Sequence, residues 1–149
     1  MRELVLDASV VVTWFAFPPD PSPDAGVAAA RRLLEEFERG DLIVAAPTLL
    51  PLEIVNVAGR SWGWPKDAIV DLAAALDDLG LRLIEPELAG VARWAGDGLT
   101  AYDAAYVSIA ESARAPLVTA DEEILRVATG IAEPLAPPRR RSKSRTNLR

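Results

Sequence analysis

The 149-residue chain contains no cysteine and no histidine. Without cysteine there is no disulfide, no thiolate nucleophile and no zinc knuckle. Without histidine there is no Ser-His-Asp triad and no imidazole base near neutral pH. Structural zinc needs one or both residue types, so it is excluded as well. No run of 18 apolar residues occurs, so nothing reads as a membrane span. Lysine is confined to Lys66 and Lys143. Any catalysis therefore falls to Asp, Glu, Lys, Tyr, Ser or a metal held by oxygen.

What is present describes an ordinary globular protein. Half the residues are hydrophobic and 26% are charged, at a length that buries a single core. The opening, Met1-Arg2-Glu3-Leu4-Val5-Leu6-Asp7, meets an acid before a signal-peptide core could form, so a cytoplasmic location is expected. The net charge of −6 hides an asymmetry. Arg139, Arg140, Arg141, Lys143, Arg145 and Arg149 give the end of the chain a local +6, leaving ten basic against 22 acidic side chains before it. This tail reads either as a solvated end without fixed structure or as an electrostatic arm for nucleic acid or an acidic partner.

Short apolar runs alternate with helical patterns along the chain. Strands are expected at residues 2–7, 42–46, 81–84, 116–119 and 131–135. Helices are expected at about 10–17, 24–39, 48–61, 65–79, 87–96, 100–113 and 122–129. Asp24 can cap the second helix and Gly40 can stop it. Phe17 to Asp24 is a proline-rich loop that cannot be helical. The alternation predicts an α/β fold with a mainly parallel sheet covered on both faces. Residues 1–136 form one domain in this reading, and 137–149 the basic tail.

Four carboxylates stand out. Asp7 closes the first strand and Asp121 follows the strand Leu117-Val118-Thr119, and parallel α/β sheets gather function at those ends. Each also fits a plain capping role. Glu53 lies in Leu49-Leu50-Pro51-Leu52-Glu53-Ile54-Val55-Asn56-Val57, where a carboxylate loses hydration unless something replaces the water. Asn56, one turn on, adds a second oxygen-bearing group to that face; the alternative is a helix face where Glu53 reaches water. Asp103 sits three residues after Thr100 as in a capping box, yet heads an inward stripe with Val107 and Ala110. Converging, these acids would repel strongly. A hard cation such as Mg²⁺ or Mn²⁺ would resolve the repulsion with oxygen ligands alone, and would permit phosphodiester hydrolysis without a histidine base.

The segments Val5-Leu6-Asp7-Ala8-Ser9, Leu52-Glu53-Ile54-Val55-Asn56, Leu99-Thr100-Ala101-Tyr102-Asp103-Ala104-Ala105-Tyr106 and Leu117-Val118-Thr119-Ala120-Asp121 resemble, in order, the PIN-domain ribonucleases and specifically VapC-like toxins of toxin–antitoxin pairs. The resemblance implies a PIN-like three-layer fold and metal-dependent RNA cleavage. Asp7, Glu53, Asp103 and Asp121 would be the catalytic acids, with Asp7, Asp103 and Asp121 holding Mg²⁺ (or Mn²⁺) directly or through water. Glu53 would orient or deprotonate the attacking water, while Thr119 would support Asp121, and Ser9 and Asn56 would be supporting or substrate contacts. A VapB-like antitoxin and a homodimer are the implied partners beside RNA.

Two other classes of function stand beside this one. One is a PIN-like RNA-binding or regulatory module without catalysis. The other is a different Asp-dependent α/β enzyme. A haloacid-dehalogenase-type phosphatase wants an acid two residues after Asp7, where Ser9 stands. A response-regulator receiver wants adjacent early acids and a lysine after a late strand, and neither Lys66 nor Lys143 fits. The four tryptophans, Trp14, Trp62, Trp64 and Trp94, read first as core.

Overall fold

The run Leu4-Val5-Leu6 is buried without interruption, as a strand covered on both faces must be. It forms β1 (Arg2–Leu6), the middle of a five-stranded sheet with β2 (Leu42–Pro47), β3 (Arg82–Ile84), β4 (Leu117–Thr119) and β5 (Ala132–Pro134). All strand pairs are parallel, in the order β3-β2-β1-β4-β5. The computed structural model describes residues 1–16 and 24–136. Most of the proline-rich loop and the whole basic tail lie outside them.

The helices are α1 (Ala8–Val11), which continues as a 3₁₀ turn over Val12–Trp14, α2 (Ala25–Glu38), α3 (Leu50–Arg60), α4 (Lys66–Asp78), α5 (Leu88–Gly96), α6 (Ala101–Ala113) and α7 (Glu122–Val127). Several starts are fixed by side-chain caps. Asp24 accepts from the Gly26 amide, Thr100 from Asp103 and Asp121 from Ile124, each meeting an amide that the helix leaves unpaired. Gly40 follows α2 with φ of 80°, a conformation glycine adopts without strain.

The sheet order decides where a site can form. β1 has β2 on one side and β4 on the other, so the connections leave in opposite directions and open a crevice beyond the carboxyl ends of β1 and β4. The β1–β2 ladder registers four residue pairs, from Arg2↔Leu42 to Val5↔Ala45. The β1–β4 ladder registers two, Val5↔Leu117 and Leu6↔Val118. Helix α6 packs across β1, β2 and β4 and is buried without a break from Ala104 to Ala110. Helix α5 lies directly on α6, where Gly90 meets Ser108; a β-carbon at Gly90 would come within 2.3 Å of Ser108 Oγ.

The helix expected at 10–17 instead begins at Ala8, is α-helical only to Val11 and continues as a 3₁₀ turn to Trp14, and its expected end at Phe17 lies outside the described residues. The other expected elements form with ends displaced by at most two residues. Helix α3 starts at Leu50 rather than Thr48; the Thr48 amide still pairs with the Ile84 carbonyl, so the chain follows the β2–β3 ladder one residue past Pro47 before it turns. Pro47 belongs to β2, buried opposite Ile84, instead of ending the strand before it. Pro65 caps α4 from outside the first turn. The four tryptophans pack against the core.

Candidate active site

Four elements converge on the crevice. β1 leads directly into Asp7, only 6% exposed, and β4 ends in Thr119, fully buried. Asp7 Oδ2 accepts from Thr119 Oγ1 at 2.8 Å and from Ser9 Oγ at 2.8 Å. Two hydroxyl donors on one carboxylate oxygen replace the water that burial removed. Thr119 Oγ1 also accepts from the Asp121 amide at 3.0 Å, so one hydroxyl ties the two strand ends together. The Asp121 carboxylate in turn accepts from the Ile124 amide, so the capping role is real.

Helix α3 supplies Glu53 and α6 supplies Asp103. Both are half-buried, and both carboxyls are pushed up. Burial is the largest cause for Glu53, followed by the negative charges of Asp7 and Asp103, and its pKa rises to about 7. Burial also leads for Asp103, followed by Asp121, with smaller contributions from Asp7 and Glu123; the Thr100 hydroxyl opposes the rise. Asp103 thus feels both strand-end acids, and Glu53 feels Asp7 and Asp103 across the crevice. Thr100 caps α6 through the Asp103 amide, so the structural role of this pair coexists with an inward-acting carboxylate.

Electrostatic coupling is not ligating proximity. Among the described residues, no three Asp or Glu side chains stand close enough together to grip one cation. The donor chemistry nevertheless suits a hard dication. The groups are all oxygen, they repel one another, and Glu53 Oε1 is buried without a hydrogen-bond partner. Asp7 Oδ1 takes neither of the hydroxyl bonds that fix Oδ2.

A cleft of about 480 Å³ opens beside the acids, lined by Leu49, Leu52, Glu53, Asn56, Thr100, Tyr102 and Asp103. Asn56 thus shares a wall with Glu53. Leu52 and Tyr102 at its rim are 72% and 69% exposed. Sequence reasoning passed over Tyr102 and also Tyr106, whose ring is fully buried among the acids. The available signal was position, since Tyr106 lies one turn after Asp103 on the same helix face.

The comparisons with known proteins agree with this architecture. The PIN domain family matches residues 4–130. Among solved structures, the chain is similar to that in the crystal structure of PAE2754 from Pyrobaculum aerophilum. The two are 30% identical, the match covers 90% of each chain, and the TM-score is 0.58. No curated protein matches significantly. A family match over most of the chain, on a parallel sheet whose switch point carries the acids, leads to one conclusion: this chain belongs to the PIN domain family.

Proposed function

We propose that this protein is a metal-dependent endoribonuclease of the VapC-like toxin type, acting in the cytoplasm and neutralised by a VapB-like antitoxin. PIN domains are generally metal-dependent nucleases. The observation that carries the reading here is the gathering of acids from separate elements at the crevice, where Glu53 feels Asp7 and Asp103, and Asp103 feels Asp121 and Asp7, in a chain without histidine or cysteine. Residues 1–136 are the working domain in this reading, and 137–149 an electrostatic tail.

Asp7, Asp103 and Asp121 would hold Mg²⁺ or Mn²⁺, directly or through water, with Ser9 and Thr119 fixing Asp7 in place. A bound dication supplies a lowered water pKa and neutralises charge on the phosphate. Glu53 orients the attacking water and takes its proton. A carboxyl with a pKa of about 7 suits a base near neutral pH. Burial is the main cause of that rise, and a bound dication would oppose it by relieving the repulsion from Asp7 and Asp103. Asn56 and Tyr102 face RNA in the cleft, the amide toward a base edge or ribose and the exposed ring toward an unpaired base. A homodimer is part of the same proposal.

Asp7→Asn and Asp103→Asn should each abolish Mg²⁺-dependent cleavage of single-stranded RNA while circular dichroism stays native. Full activity in both would defeat the assignment. The separation of the acids favours one competing reading, an RNA-binding module without catalysis. That reading expects RNA binding without cleavage in either metal. Co-expression with a small DNA-binding protein encoded beside it should relieve growth arrest if the toxin role is right.

A further inference from the structure

Two polar atoms in this site are sealed from solvent and make no hydrogen bond of ordinary geometry: Glu53 Oε1 and the Tyr106 hydroxyl. One is an acceptor when ionised and the other a donor, and the hydroxyl on α6 lies near enough to the carboxylate on α3 to favour its charged form. Buried polar groups nearly always find a partner, so neighbouring orphans of complementary kind call for an explanation. We propose that Tyr106 is a positioning residue, whose hydroxyl donates a hydrogen bond to Glu53 Oε1 in the working site and sets the direction of that carboxylate.

Three observations support the assignment. The Tyr106 ring is wholly buried within the Ala104–Ala110 stretch of α6, so it is a rigid arm with little freedom to point elsewhere. Its hydroxyl already stands close enough to favour the charged form of Glu53, and the negative charge of Glu53 in turn helps push the phenol up, after burial itself. Phenylalanine would fill the same space, so packing alone gives no reason for an oxygen among three acids. The backbone of Ala8 also approaches that oxygen, which places the hydroxyl between the residue after Asp7 and Glu53. Glu53 has three rotatable bonds and is half-exposed. Without the hydroxyl it samples several directions, and a general base misdirected by about 1 Å loses roughly a hundredfold in rate.

The inference rests on the nuclease reading, so its test has two independent arms. The chain holds two tyrosines. With ¹³C at tyrosine Cζ and Tyr102→Phe in the background, one resonance reports Tyr106. Glu53→Met, which keeps length but removes the acceptor, should shift that resonance; an unmoved signal overturns the hydrogen bond. In the second arm, Tyr106→Phe should lower kcat for RNA cleavage tenfold to a hundredfold, with KM and melting temperature unchanged. An unchanged kcat, or a loss that tracks a fall in melting temperature, overturns the positioning role. A wild-type protein that cuts no RNA defeats the nuclease reading instead, and the Cζ shift still decides the hydrogen bond by itself.

Discussion

Thr119 shows how much one side chain can carry. Its hydroxyl donates to Asp7 and accepts from the Asp121 amide, with no exposure to solvent. Thr119→Val keeps the shape and strands both partners. Hydrogen bonds to charged groups contribute about 1.5–3 kcal/mol, so a stability loss in that range is expected from urea denaturation, together with loss of cleavage. Glu53 makes a prediction of opposite sense. Its pKa rises from 4.5 to about 7, so the folded chain keeps a proton that the unfolded chain releases. That preference is fully present below pH 4.5 and is lost as pH rises through 7. Without metal, the melting temperature should therefore fall across this window, with Asp103 acting in the same direction. Glu53→Gln should flatten much of the fall, and a divalent cation should lessen it. A melting temperature that is level over the window would contradict the coupling of these acids. At this scale the acids were legible because Asp7 and Asp121 follow apolar strands while Glu53 and Asp103 stand on apolar helix faces. Tyr106 was not, because a tyrosine on an inward helix face reads as core, and what surrounds its oxygen comes from other elements.

Secondary structure follows from local chemistry that can be read directly. Asp24, Thr100 and Asp121 cap the helices their positions suggest, and Leu4-Val5-Leu6 is the central strand its unbroken hydrophobicity implies. The start of α3 moved because pairing with β3 carries on through the Thr48 amide, which no local pattern reveals. The close approach of α5 to α6 has no comparable local signal, because a glycine within a helix does not reveal which helix crosses it. Gly90→Ala tests that approach. Alanine improves helix propensity by up to about 1 kcal/mol, but its β-carbon would meet Ser108 Oγ at 2.3 Å. Overpacking costs about 1–3 kcal/mol, so net destabilisation is expected in a urea titration. Ser108→Ala added to it should restore most of the loss. Stabilisation by Gly90→Ala alone would mean that the helices part easily.

Across the whole molecule, the order of the strands joins what the chain separates. Asp7 and Thr119 are 112 positions apart and within 2.8 Å. Periodicity yields strands and helices but not their order, so the meeting of the acids had to be taken from the family resemblance, and their distances could not be read at all. Net charge is the other property of this scale. A body of −12 repels RNA, while the six basic residues after Pro138 attract it. Truncation after Pro138 should reduce the salt dependence of RNA binding, by a slope of about 4 if all six engage single-stranded phosphates. An unchanged slope in a filter-binding series would leave those charges without a role in binding.

The short β1–β4 ladder has a dynamic consequence. Two registered pairs, reinforced by the Thr119 hydroxyl, join the last two strands to the rest of the sheet. If that margin lets go, Asp121 departs with it while Asp7, Glu53 and Asp103 stay behind. On the proposed mechanism, transient opening there would separate Asp121 from the other acids, and a bound dication would oppose it. Native-state hydrogen exchange at the Asp7 and Asp121 amides should slow on adding Mn²⁺, while amides along β2 keep their rates.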